Sequence, residues 1–242
     1  PQEYFDIGGP SFVNYVESIY VGYRYWETAF DEGLTETYSN VLYPFGYGLS
    51  YTEFSKTLDS VTNEDGVITA TVTVKNTGSV SGKDIVELYY TPPYTNGGIE
   101  KSSVNLAGFV KTKELEPNES EELQVTFKLE DMASYDAKVN KAYVLEAGDY
   151  GISLRADAHN VIATETITVD DTIVYDENNK RSTDEEVATN KLDFAAGSFE
   201  SLSRKDHFAN YDAATAAPVN FSMPEEINAV YENNSNYDPE KY

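Results

Sequence analysis

The side chains that could do chemistry here are numerous but few in kind. The chain holds 42 Asp and Glu, only 2 His and no Cys, so proton transfer would have to run on carboxylates or tyrosines. His159 and His207 stand far apart, with no Cys, His or short-range ligand pattern beside either. Both read as structural or surface residues. The adjacent pairs Asp31-Glu32 and Asp170-Asp171 fail as catalytic dyads. Neighbours on a strand point to opposite faces, whereas cleavage of a glycosidic bond with retention needs two converging carboxyls about 5–5.5 Å apart. The run Asp176–Glu186 (DENNKRSTDEE) is the most metal-like. Counted from Asp176, however, Arg181 falls where a calcium loop needs Gly and Val187 where it needs Glu, so it reads as a solvated charged loop. Asn118-Glu119-Ser120 and Asn233-Asn234-Ser235 fit the glycosylation sequon, a short pattern with little weight. No nucleophile elbow, phosphate loop or Ser/His/Asp set can be assembled. No catalytic residue, metal ligand or cofactor is therefore assigned.

Composition narrows the partners. The formal net charge is −25, from 17 Lys and Arg against the 42 acids, and such a surface repels phosphate backbones and anionic lipid. Nucleic acid and membrane are set aside as partners, and no apolar run approaches the roughly 20 residues of a spanning helix. The absence of Cys excludes a disulfide framework and thiolate metal sites. The chain opens Pro1-Gln2-Glu3-Tyr4-Phe5 without Met, basic n-region or apolar h-region. That start reads as an excised or processed segment, with bacterial cytoplasm and secretion both open.

Three regions must position whatever chemistry there is. Residues 1–54 are aromatic-rich, and Ser18–Trp26 (SIYVGYRYW) reads as a strand from its β-branched and aromatic content. Val41–Phe54 interleaves Pro44, Gly46 and Gly48 with aromatics, rings that some fifty residues cannot bury alone. From 55 to 170 the chain turns to short strands: Val67–Lys75, Ile85–Thr91, Val104–Thr112, Leu123–Leu129, Lys141–Leu145 and Tyr150–Arg155 as a late hairpin, and Val161–Val169. Turns every 8–15 residues or so predict an antiparallel β-sandwich of immunoglobulin or fibronectin type. From 171 to 242 the chain is polar and irregular, with one helical turn or a short helix expected to start at Pro224–Asn228.

Two motifs in the first region carry a resemblance. Ile19–Thr28 (IYVGYRYWET) and Leu42–Thr52 (LYPFGYGLSYT) resemble glycoside hydrolase family 3, the β-glucosidases and β-xylosidases. The family's sandwich pattern is similar at Val74–Gly78 (VKNTG), Gly82–Tyr90 (GKDIVELYY), Leu106–Thr112, Leu115–Glu119 and Leu145–Tyr150. Ala188–Asp193 and Leu202–Asp206 are similar to the connector of members whose catalytic barrel follows the sandwich, although Arg204–Phe208 departs from the usual aromatic-rich run. The resemblance implies an all-β fold, a fibronectin type III-like antiparallel β-sandwich at 55–170. It would be flanked by the end of an α/β-sandwich domain at 1–54 and by an extended connector at 171–242.

Function follows from the same resemblance. It implies a non-catalytic structural part of a retaining, exo-acting β-glycosidase, a β-glucosidase first and a β-xylosidase second. The family's nucleophile Asp sits on a barrel and its acid/base Glu upstream of the LYPFGYGLSYT motif, and no residue here matches either. The expected partners are the remaining catalytic domains, with a β-glucoside met only through them. An alternative is a carbohydrate-binding module using Tyr89, Tyr90 and Tyr94 with Pro92-Pro93. The expected core is Val72, Val74, Val86, Leu88, Leu106, Phe109, Val125, Phe127, Ile152 and Leu154. Arg24 is expected to pair with a carboxylate near an inter-domain cleft, and Tyr43–Tyr51 and Phe194–Phe208 to dock on other domains.

Overall fold

The computed structural model describes residues 15–190, 200–216 and Glu225. Ten strands alternate in direction: β1 Phe54–Glu64, β2 Val67–Asn76, β3 Ile85–Thr91, β4 Asn105–Lys111, β5 Ser120–Lys128, β6 Ser134–Asp136, β7 Ala142–Leu145, β8 Gly148–Arg155, β9 Val161–Val169 and β10 Ile173–Tyr175. They form sheets ordered β1-β2-β5, β4-β3-β8-β9 and β10-β7-β6, with every pairing antiparallel. The first two face each other as the sandwich predicted from the turn spacing. Alternation in β2 turns Ile68, Ala70, Val72 and Val74 inward. They meet Val86, Leu88, Val125 and Leu154 in one core, and Phe127, Tyr150, Ile152 and Ile167 continue it into a second.

Four expectations are corrected. The stretch Ser18–Trp26 is not a strand: it turns at 16–19 and enters an α-helix, α1, Tyr23–Asp31. Gly22 precedes the helix at φ 59, a left-handed value that suits Gly. Side chains spaced three and four apart then find partners on two sides, so tertiary contact overrides strand propensity. Lys141–Leu145 and Tyr150–Arg155 do not form a hairpin. β7 pairs with β6 and β10, while β8 pairs with β3 and β9. Gly148 makes the crossing at φ 141, against the Pro93 ring.

Phe109 is 65% exposed, not core. A register shift between Leu88 and Tyr89 places Phe109 opposite Glu87 on the outer face. Ala107 and Val110 take the inner positions instead. Leu106, half-buried, sits opposite Tyr89. The other eight residues of the expected core are buried. Last, part of the segment expected to dock elsewhere packs within this chain: Leu202, Phe208 and Ala214 bury against Tyr20 and Ala29. Phe194 to Phe199, and nearly all of the turn expected at Pro224–Asn228, lie outside the described residues.

Candidate functional site

The strand β3 explains how the flanking segment reaches the sandwich. Glu87 and Tyr89 point away from the inner core, yet both are buried. Their cover is the segment before β1. Tyr23 of α1 stacks on Phe45 at 4.7 Å between ring centroids and meets Tyr89 edge-on at 6.2 Å. The Tyr23 hydroxyl accepts a hydrogen bond from the backbone N–H of Leu106 at 3.0 Å, and Ala158 N–H donates to the Phe45 carbonyl at 2.8 Å. Gly46, at φ 87, lies so close to Glu87 that a Cβ there would overlap its carboxylate. The glycine in the YPFGYG run is thus required twice, for its backbone angle and for its missing side chain.

Buried carboxylates cluster along this junction. The Tyr89 hydroxyl donates to Glu87 Oε2 at 2.6 Å, and burial pushes the Glu87 carboxyl above its ordinary value, with the Tyr89 hydrogen bond opposing. Glu27, on α1, accepts from the Tyr38 hydroxyl at 2.7 Å, and its Oε2 lies 2.9 Å from His159 Nδ1. The His159 ring stacks on Tyr38 at 4.0 Å. Burial and the Glu27 contact raise the Tyr38 hydroxyl well above the usual phenol range. The partner of His159 has no signature in a one-dimensional reading, because 132 residues separate the two. Both carboxylates accept hydrogen bonds inside the fold, and Glu27 also lines a cleft beside Tyr23 and Trp26.

Other candidates fare as follows. Asp31 accepts from the Ser103 hydroxyl at 2.5 Å, and Glu32 pairs with Arg204 at 2.5 Å and His207 at 2.7 Å, so this adjacent pair splits between two contacts. Asp170 and Asp171 are exposed. The loop after Asp176 is largely exposed, and Arg181 anchors it, sitting 3.8 Å over the Tyr143 ring and forking onto Asp184 at 2.8 and 2.9 Å. Among the described residues no group of three or more His, Cys, Asp or Glu could hold a metal. Asn118 occupies an exposed turn at φ 68, which Asn tolerates. Arg24 is exposed. Of the tyrosines in the carbohydrate-module alternative, Tyr90 and Tyr94 are half-buried. Tyr89 is buried, Tyr94 lies under the Arg204 guanidinium at 4.2 Å, and burial lifts the Tyr90 hydroxyl to about 12.

What does stand open is a row of apolar side chains. Leu42, Tyr43, Phe45, Tyr47, Leu49 and Tyr51 are all exposed, Leu49 at 90% and Tyr51 completely. Tyr43 and Tyr47 stack on each other at 5.0 Å. Beside them a cleft of about 470 Å³ is lined by Tyr23, Trp26, Leu42, Tyr43 and Phe45. This is an apolar surface of the sort that marks an interaction site.

The fold and this junction define a fibronectin type III-like sandwich with a covered outer sheet, and residues 84–158 match the model of the fibronectin type III-like domain. Beta-glucosidase A of Butyrivibrio fibrisolvens is 43% identical over 157 residues, spanning 57% of this chain and 18% of that protein. Beta-glucosidase of Ruminococcus albus is 38% identical over 167 residues, spanning 67% of this chain and 17% of that protein. Among solved structures, beta-glucosidase 3B from Thermotoga neapolitana, in complex with alpha-D-glucose, aligns with a TM-score of 0.59 at 33% identity. That alignment covers 66% of this chain and 21% of that one. Over the matched residues the chain is similar to a segment of glycoside hydrolase family 3 beta-glucosidases that carries a fibronectin type III-like domain. It spans about a fifth of the length of the relatives it matches.

Proposed function

We propose that this segment is the non-catalytic structural part of a retaining, exo-acting β-glucosidase, serving to dock domains and to support the active-site wall. Residues 1–54 end an α/β-sandwich domain, 55–170 form the fibronectin type III-like domain, and 171–242 lead towards a catalytic barrel. The observation that carries this reading is the uncovered row Leu42–Tyr51. Its apolar side chains lie on the motif that the resemblance places at the end of the α/β-sandwich domain, and they need a cover. The relatives supply the candidate, since most of their length lies outside the matched stretch. Substrate would be a terminal β-D-glucoside, met only through those other domains.

Turnover of an aryl β-glucoside by the purified chain is the test. No hydrolysis is expected. Hydrolysis that a single Asp or Glu substitution within the chain abolishes would sink the proposal. Titration with cello-oligosaccharides tests the carbohydrate-module alternative, and no saturable binding is expected.

A further inference from the structure

The chain has a core that neither face of the sandwich enters. Tyr20, Ala29, Leu202, Phe208 and Ala214 are buried together, with Ile19, Tyr25 and Leu34 packed against them. Every member comes from residues 19–34 or 202–214, the two sides of the sandwich in sequence. The Phe208 ring stands edge-on to Tyr20 at 4.9 Å and to Tyr25 at 5.5 Å, and Tyr25 also stacks on Tyr211 at 6.0 Å. The Leu202 N–H donates to the Val16 carbonyl at 2.7 Å.

Polar contacts hold the same segment in place. Arg204 Nε lies 2.5 Å from Glu32 Oε1, its Nη1 donates to the Lys101 carbonyl at 3.1 Å, and its guanidinium caps Tyr94. Glu100 collects three donors: the Tyr20 hydroxyl at 2.6 Å, the Ser203 hydroxyl at 2.5 Å and the Arg204 N–H at 3.0 Å. Asn96 and Asp206 exchange two hydrogen bonds, at 2.7 and 2.9 Å. The single turn Lys205–Phe208 (α2) carries Asp206, His207 and Phe208 at φ 51, 59 and 59. L residues rarely hold such angles in succession, and they do so only where the surroundings over-determine them.

We propose that residues 200–216 are a strap that completes the core of helix α1, so that helix and strap open and close as one unit against the β3–β4 connection while the strands of the sandwich stay paired. Arg204 is the latch and Phe208 the plug. The geometry makes the coupling reciprocal: loosening the strap exposes α1, and loosening α1 releases the strap. The two sides of the domain are thereby tied to one another, and a displacement of either is transmitted to the other. This inference rests on the chain's own contacts and stands apart from the β-glucosidase reading.

Hydrogen exchange on the full chain tests it. In Phe208→Ala and in Arg204→Met, amides of Tyr23–Asp31 should exchange at least about tenfold faster, while those of β2 and β8 keep their protection. In Tyr25→Ala, amides of Tyr211–Thr215 (α3) should accelerate likewise. Unchanged α1 exchange in both strap variants would overturn the proposal. So would an equal loss of protection in β2 and β8, because helix and strap would then belong to the sandwich's own cooperative unit.

Discussion

Glu87 and Tyr89 stand two residues apart on β3, on its outer face, and the Tyr89 hydroxyl donates to Glu87 Oε2 at 2.6 Å. A carboxylate on the outer face of a sandwich is ordinarily solvated. This one is buried because Tyr23, Phe45 and Gly46 lie over it.

Burial raises the Glu87 carboxyl above its unfolded value. Between the unfolded and folded values the folded state binds more protons than the unfolded one, so stability falls as pH rises through that window. Glu87→Gln removes the charge and keeps an acceptor for Tyr89. Melting temperature measured across the acidic to neutral range should therefore fall more steeply with pH in the native chain than in E87Q. Parallel curves would show that the buried charge costs nothing.

Gly46→Ala should destabilise by about 1–3 kcal/mol for the left-handed backbone angle alone, with a further cost from overlap with the Glu87 carboxylate. Truncating the neighbour separates the two. In G46A/E87A the overlap vanishes and the angular cost stays, so a double-mutant cycle should give a coupling of about 0.5–3 kcal/mol. Denaturant titration reads it.

Asn76 explains a family motif in physical terms. It is fully buried, its Nδ2 donates to the carbonyls of Val80 and Leu115 at 2.8 and 2.9 Å, and its Oδ1 accepts from Thr52 and from Gly78 N–H at 2.9 and 3.0 Å. The amide bridges β2, the β3 approach and the end of the aromatic segment. Asn76→Ala strands several buried groups at about 1–3 kcal/mol each, so a loss of more than about 3 kcal/mol is expected in equilibrium unfolding. A loss below about 1 kcal/mol would mean that water replaces the amide.

Leu88→Ala should cost about 2–5 kcal/mol, since Leu88 is wholly buried in the inner core. Phe109→Ala should cost under about 0.5 kcal/mol, as a surface change. Comparable losses at the two positions would refute the observed register of β4.

Much of this protein was legible in its sequence. Alternating runs such as Val67–Lys75 mark their strands and their inward faces, because burial on one side of a pleat imposes period two. The LYPFGYGLSYT and VKNTG motifs carry the resemblance to the family. Other features depend on contacts distant in sequence. Helix α1 departs from the expected strand because its aromatic residues favour strands locally, whereas Phe45, Tyr89, Phe208 and Tyr211 give them helical-face partners. The outward Phe109 follows from a one-residue shift opposite Leu88, which no alternation pattern announces. The pairing of Glu27 with His159, and of Arg204 with Glu32, joins residues 132 and 172 positions apart. Sequence spacing carries no signal for such pairs; chain folding alone decides which buried charge meets which partner.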